Sequence, residues 1–261
     1  MKPDELRLVV DSLGKVITAY RAIAGENPLA EFGGFEVDCA VPALVEHVIL
    51  QAKAVSELAR LSETYAPAAA GCARSAMEVG TLAAWLSKPR EAHDREARWL
   101  GYFKSLEEFS RKMANELKNL DPNVPRVLDE TIAKYMKGMT APRFGKPIVP
   151  VPKPSMKAML ADLGYEHLYP GYREVCEVIH GGPETINRHR IFHRSRELPM
   201  GFEFGVFTDG VDWQIVFRIT SWGVAVACYH SLRNFGIKNA VSAGILDAHK
   251  RLIEVLDKVA S

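Results

Sequence analysis

The sequence predicts an all-α protein of about eight helices. Apolar residues recur at three- and four-residue steps along most of the chain, which is the spacing of a helix with one buried face. Glycine, proline and asparagine, which end helices, stand between these runs. The composition, 48% apolar and 25% charged, is typical of a globular protein. We therefore expect a single helical domain over residues 1–261.

Four long helices are expected in the first half of the chain. Their apolar stripes cover about residues 4–24, 41–65, 68–86 and 91–120. The third is rich in alanine and glycine, which indicates close packing against other helices. After a stop at residues 121–123, a shorter helix is expected at about 127–136.

Residues 137–154 form the clearest non-helical segment. Proline has no backbone N–H and restricts the residue before it, so this density of prolines excludes a helix and favours an extended strap. A linker between two lobes is the alternative, but linkers are usually more polar than residues 146–151. The prolines are Pro142, Pro147, Pro150, Pro152 and Pro154.

Helical patterns resume after the strap. Ser155 is placed to cap a short helix that ends at Gly164. Further helices are predicted at about 170–180, 212–232 and 239–259. The helix at 212–232 competes with a small β-hairpin over 202–220, because apolar residues there also alternate around a central Asp-Gly pair.

Composition and termini predict a soluble cytoplasmic protein with no membrane segment. The N-terminus lacks the basic start and apolar run of a signal peptide, and no stretch resembles the roughly 18 apolar residues that span a bilayer. Four widely separated cysteines are typical of buried small side chains in a reducing compartment, without disulfides or zinc. The net charge of +1 means that any nucleic-acid site must be a local basic patch.

Several common catalytic signatures are absent from the sequence. It contains no phosphate-binding glycine loop, no dinucleotide fingerprint, no serine-hydrolase elbow and no zinc-protease motif. His189 and His193, or His93 and Asp94, could bind a metal only with further ligands. The sequence places no suitable carboxylate near the first pair and does not show which His or Asp would complete the second. We therefore predict neither a cofactor nor a metal.

The most informative segment is the helix that ends at His180. Arg173, Glu177 and His180 follow one another at steps of four and three, so they share one face. An arginine can bind phosphate oxygens through a bidentate fork while a nearby histidine moves a proton. We assign Arg173, Glu177 and His180 as candidate catalytic residues. The alternative is an Arg173–Glu177 ion pair beside a helix-terminal histidine.

The arrangement of Arg173 and His180 is similar to the Arg-x4–6-His motif of the HEPN superfamily. That resemblance implies an all-helical, metal-independent endoribonuclease, found in toxin–antitoxin and phage-defence systems, and acting as a homodimer with two motifs facing one cleft. The motif residues would promote attack of an RNA 2′-hydroxyl on the adjacent phosphate. One departure is Glu174, where HEPN nucleases often carry Asn, Asp or His. A second match to the Arg-x4–6-His spacing, with four intervening residues, is Arg188–His193.

A second resemblance rests on residues that are far apart in the sequence. The run Arg74–Glu78, followed much later by Tyr172 and by Val178–Gly181, resembles a family of uncharacterised bacterial helical proteins. It covers about residues 40–185 and implies helical architecture without an activity.

Two further groups of residues are candidates for substrate binding. Residues 187–196 hold four arginines, two histidines and one phenylalanine, a density suited to RNA phosphates. A solvated basic loop is the alternative there. The second group, Arg74 and Glu78, forms either a structural ion pair or part of a polar pocket with the Arg173 face. The candidate substrate-binding residues are Arg188, Arg190, His193, Arg194, Arg74 and Glu78.

Together these features predict a HEPN-like endoribonuclease or RNA-binding effector. Its expected partners are RNA and a second copy of the chain. The alternative is a non-catalytic helical scaffold or sensor that binds a protein partner.

Overall fold

The structure is a computed structural model, and it describes residues 3–26, 35–61, 65–117, 147–180, 210–234 and 239–260, with scattered positions between 123 and 137. These residues contain eight α-helices with both ends described and no β-strand, which confirms the predicted all-α fold. The helices are α1 (Pro3–Glu26), α2 (Glu36–Leu61), α3 (Ala66–Ser87), α4 (Ala92–Leu117), α5 (Met156–Leu163), α6 (Tyr169–His180), α7 (Gly210–Asn234) and α8 (Asn239–Ala260).

Helices α3 and α7 form the centre of the core. They cross at Gly80 and Gly223, and a Cβ added to Gly223 would lie only 2.6 Å from the carbonyl oxygen of Ala76. Alanine and glycine on the facing sides allow the two backbones to approach this closely. Helix α2 packs on both central helices, α1 and α8 pair beside α7, and α6 packs on α3.

The hairpin alternative is wrong over residues 210–220, which lie in α7. Trp213, Val216 and Phe217 are at most 2% exposed, and Thr220 is fully buried. A helix that is buried on most sides carries apolar residues all round, so its sequence can also alternate like a strand. Residues 202–209, the first half of the predicted hairpin, lie outside the described residues.

Two helices among the described residues are long and apolar enough to cross a membrane by those criteria alone. They are α2 and the part of α7 from Trp213 to Arg233. Of the apolar stretch in α7, 78% is buried inside the protein. The core helix of a soluble protein passes the same test, so the evidence for a membrane span is weak. The cytoplasmic location stays a prediction.

Residues 147–154 of the predicted strap lie against α4. The Val151 amide donates to the carbonyl oxygen of Ala97 at 2.8 Å, and Ile148 is only 5% exposed. Gly101 faces the strap so closely that a Cβ there would overlap the carbonyl group of Val151. Residues 147–154 therefore belong to the helical body, whereas residues 138–146 lie outside the described part.

The short helix α5 begins and ends as the sequence predicts. The Ser155 hydroxyl accepts a hydrogen bond from the Ala158 amide, and Gly164 closes the helix at a φ of 84°. Such a left-handed residue is readily supplied by glycine. A 3-10 turn, Glu166–Leu168, then leads directly into α6 and directs that helix onto α3.

The expectation of four buried cysteines is wrong for Cys39. Cys176 and Cys228 are buried and Cys72 is half-buried, but Cys39 is exposed on the outer side of α2. Its neighbours Val37 and Val41 supply the buried side of that turn. A cysteine is small enough to occupy either side of a helix, so residue type alone does not place it.

Candidate functional site

Helix α6 carries one apolar face and one polar face. Tyr172, Val175 and Cys176 are buried against the core, whereas Arg173 and His180 are exposed. Hydrogen bonds join the start of α6 to a later turn of α3, and the end of α6 to an earlier one. The two helices are therefore antiparallel, and the polar edge of α6 lies beside the outer face of α3.

Four polar side chains form a continuous chain of contacts across these two helices. The Tyr172 hydroxyl donates to Oε1 of Glu78 at 2.5 Å, and Nε of Arg74 donates to the same oxygen at 2.8 Å. At the other end of the guanidinium, Nη1 of Arg74 lies 3.0 Å from Nε2 of His180. Arg74 and His180, 106 positions apart in the sequence, thus meet directly.

The contact between Arg74 and His180 defines the roles of the two nitrogens. A guanidinium has donors only, so Nε2 of His180 must accept, and the ring proton of the neutral imidazole is then on Nδ1. The bond to Glu78 raises the pKa of Arg74 above its ordinary value, which is already high enough to keep the guanidinium charged.

The chain runs from the protein interior to its surface. Tyr172 is 8% exposed, and burial, followed by its bond to Glu78, raises its pKa well above the ordinary value. Its hydroxyl therefore remains a donor. The side chains of Arg74 and Glu78 are 29% and 38% exposed, and His180 is exposed. A solute can reach the outer end of this chain but not its inner end.

Arg173 shares the polar face of α6 but not this chain of contacts. It lies two turns before His180 on an exposed surface, and within the described residues it forms no hydrogen bond or ion pair. The alternative Arg173–Glu177 ion pair is accordingly not formed between these two described side chains. Arg173 therefore remains available to an anion from solution.

No family model, curated protein or solved structure matches the chain. No group of three or more metal-ligating side chains occurs among the residues that the structure describes.

The predicted substrate-binding residues are placed only in part. Arg74 contacts His180 on the polar face of α6, whereas Glu78 contacts Arg74 and the hydroxyl of the buried Tyr172. The remaining four lie outside the described residues: Arg188, Arg190, His193 and Arg194.

No role was assigned from the sequence to the hydroxyl of Tyr172, which lies on the apolar face of α6. The ring is indeed buried, while the hydroxyl reaches Glu78 on α3. A buried tyrosine hydroxyl usually has a hydrogen-bond partner, so the signal was present but the partner was not identifiable from the sequence. The four residues in the chain of contacts also belong to the two separated segments that carry the second resemblance.

Proposed function

We propose that the polar surface formed by Arg74, Arg173, Glu177 and His180, here called the Arg–His face, binds and cleaves RNA without a metal. The observation that carries this proposal is the 3.0 Å contact between Arg74 and His180 at the protein surface. It places a permanent cation directly beside a group that can accept and return a proton. The HEPN-like spacing of Arg173 and His180 supports the same chemistry, and with it a role in bacterial defence or toxin systems.

The proposed reaction needs no group besides RNA and the protein. His180 takes the proton of a ribose 2′-hydroxyl, and the 2′ oxygen forms a bond to the adjacent phosphorus. The bond from phosphorus to the 5′ oxygen breaks, and that oxygen receives the proton from His180. The products are a 2′,3′-cyclic phosphate and a 5′-hydroxyl end. Arg74 and Arg173 stabilise the charge on the non-bridging phosphate oxygens.

Glu177 and the second copy of the chain have supporting roles in this proposal. Glu177 stands between Arg173 and His180 on the exposed face of α6, where a carboxylate can orient the neighbouring cationic groups. In a homodimer, two Arg–His faces would border one RNA-binding cleft. Arg188, Arg190, His193 and Arg194 would then contact the RNA backbone beyond the cleaved bond.

The test is incubation of the protein with total RNA, with and without EDTA, followed by analysis of the new RNA ends. Wild type is expected to produce cyclic phosphate ends at the same rate in both conditions. His180→Ala and Arg173→Ala are expected to lower the rate by about 100-fold or more, because each removes a group that acts in the transition state.

Matched controls keep this experiment specific. His167→Ala removes another exposed histidine, and Arg251→Ala removes an exposed arginine on α8. Both are expected to cleave like wild type. RNA that wild type leaves intact, or cleavage that survives in His180→Ala, would rule out the proposed reaction.

A second candidate function is a non-catalytic scaffold or sensor that binds a protein partner. It is favoured by an apolar stripe on the outer half of α4, where Leu106 and Met113 are 40% exposed and Phe109 is 63% exposed. Exposed apolar groups that share one helix face often mark a protein-binding surface. Phe109→Ser should then abolish retention of the partner in affinity capture, whereas His180→Ala should retain it. Retention of the partner by Phe109→Ser would contradict this docking surface.

A further inference from the structure

Glu78 and Tyr172 hold the guanidinium of Arg74 in position. Its Nε and the Tyr172 hydroxyl both donate to Oε1 of Glu78, at 2.8 and 2.5 Å. Tyr172 is 8% exposed, so packing between α3 and α6 determines the position of its ring. Oε1 of Glu78, which binds the guanidinium of Arg74, is therefore itself held in place by Tyr172 of α6.

This anchor determines which part of Arg74 faces His180. The guanidinium is planar, so an Nε directed at Glu78 leaves Nη1 directed toward the end of α6. There, Nη1 lies 3.0 Å from Nε2 of His180. The lone pair of Nε2, which a general base must use, is thus occupied in the free protein.

We propose that Tyr172 and Glu78 are positioning residues that keep His180 in its Nδ1–H form until a phosphate group engages Arg74. The role in catalysis rests on the proposed function, because the tautomer matters only if His180 moves a proton. A phosphate oxygen is a stronger acceptor for a guanidinium than a neutral imidazole is, since its bond is assisted by charge on both partners. When Arg74 turns to the phosphate, Nε2 becomes free to accept the 2′-hydroxyl proton.

In this proposal, His180 becomes an active base only when the substrate binds. The residue that releases Nε2 is the same residue that binds the phosphate, so the free lone pair and the bound phosphodiester occur together. In the proposed reaction, Tyr172 and Glu78 contact neither the RNA nor the transferred proton. They act through Arg74, and their loss should alter the state of His180 without removing an RNA contact.

The first test measures the tautomer of His180 by nitrogen NMR of the labelled full-length protein, in phosphate-free buffer at a pH where the ring is neutral. The His180 signals are identified by their loss in His180→Gln. Wild type is expected to show the Nδ1–H form. Tyr172→Phe is expected to show a mixture that includes the Nε2–H form. Tyr169→Phe, which removes a hydroxyl from the same helix, should match wild type.

A second pair of variants tests the proposal even if Tyr172→Phe fails to fold. Glu78→Gln weakens the anchor at a partly exposed side chain, and Glu107→Gln weakens a comparable pair with Arg111 on α4. Glu78→Gln should shift the tautomer of His180 and Glu107→Gln should not. Addition of inorganic phosphate to wild type should move the Nε2 signal away from its hydrogen-bonded position. An Nε2–H form in phosphate-free wild type, or equal shifts in both variants of either pair, would overturn the proposal.

Kinetics then separate positioning from binding. Tyr172→Phe should lower kcat about 3- to 10-fold, as expected for one lost hydrogen bond, while KM for RNA stays unchanged. Tyr169→Phe should change neither constant. If wild type shows the expected tautomer but leaves RNA intact, the nuclease function fails while the hydrogen-bond chain stands. If wild type cleaves RNA but His180 is in the Nε2–H form, the positioning role fails alone.

Discussion

Gly80 and Gly223 stand against each other where α3 crosses α7. A Cβ on Gly80 would fall inside van der Waals contact with the carbonyl oxygen of Gly223, and the Gly223 Cα would be 3.0 Å away. Both obstacles are backbone atoms of a central helix, which cannot rotate aside as a side chain can. The absence of a side chain at these two positions therefore sets how closely α3 and α7 pack.

Gly80→Ala should destabilise the protein. The added methyl group forces the two central helices apart, and overpacking of this kind costs about 1–3 kcal/mol. Gly71→Ala is the matched control in the same helix, because nothing lies within 4 Å of its added Cβ. Since alanine is the better helix former, that control should gain about 0.5–1 kcal/mol. Urea unfolding measures both changes, and equal midpoints for the two variants would contradict the close-packing account.

Gly101→Ala should loosen the strap from α4. The added Cβ would overlap the carbonyl group of Val151, whose amide is bonded to Ala97. The strap can move only by giving up that hydrogen bond and the burial of Ile148, a loss of about 1–3 kcal/mol. Limited proteolysis should cut residues 147–155 faster in this variant. Gly14→Ala on α1, which has open space around it, should leave the cutting rate unchanged.

Two buried histidines should make the protein less stable in mild acid. Burial, and for His230 also the nearby charges of Arg233 and Lys88, lowers the pKa of both His230 and His249 to about 4. Between pH 6.5 and 4 the unfolded chain binds protons at these rings and the folded chain does not. Stability should therefore fall as the pH drops through that window, by on the order of 3 kcal/mol for each ring.

The measurement for these histidines is the free energy of unfolding as a function of pH. His230→Gln and His249→Gln should each reduce the slope between pH 6.5 and 4, because one titrating ring is removed. His47→Gln, at an exposed histidine on α2, is the control. The prediction fails if all three variants keep the slope of wild type.

Most of the helices could be predicted because their signals are local. The Ser155 cap, the left-handed Gly164 and the apolar stripes each involve residues within a few turns of one another. The ambiguous segment was α7, whose burial on most sides removes the contrast between faces on which periodicity depends. The position of residues 147–154 against α4 depends on the contact between Val151 and Ala97, which lie far apart in the sequence.

The sequence by itself determined that Arg173 and His180 lie along one line of α6, because helix geometry alone relates residues seven positions apart. It did not determine which of them has a partner. That was decided by the antiparallel docking of α6 on α3, which brings Arg74 to His180 and leaves Arg173 at the open surface. The physical reason is that side-chain pairing across 106 positions depends on how the cores of α3, α6 and α7 pack, and no local pattern encodes that packing.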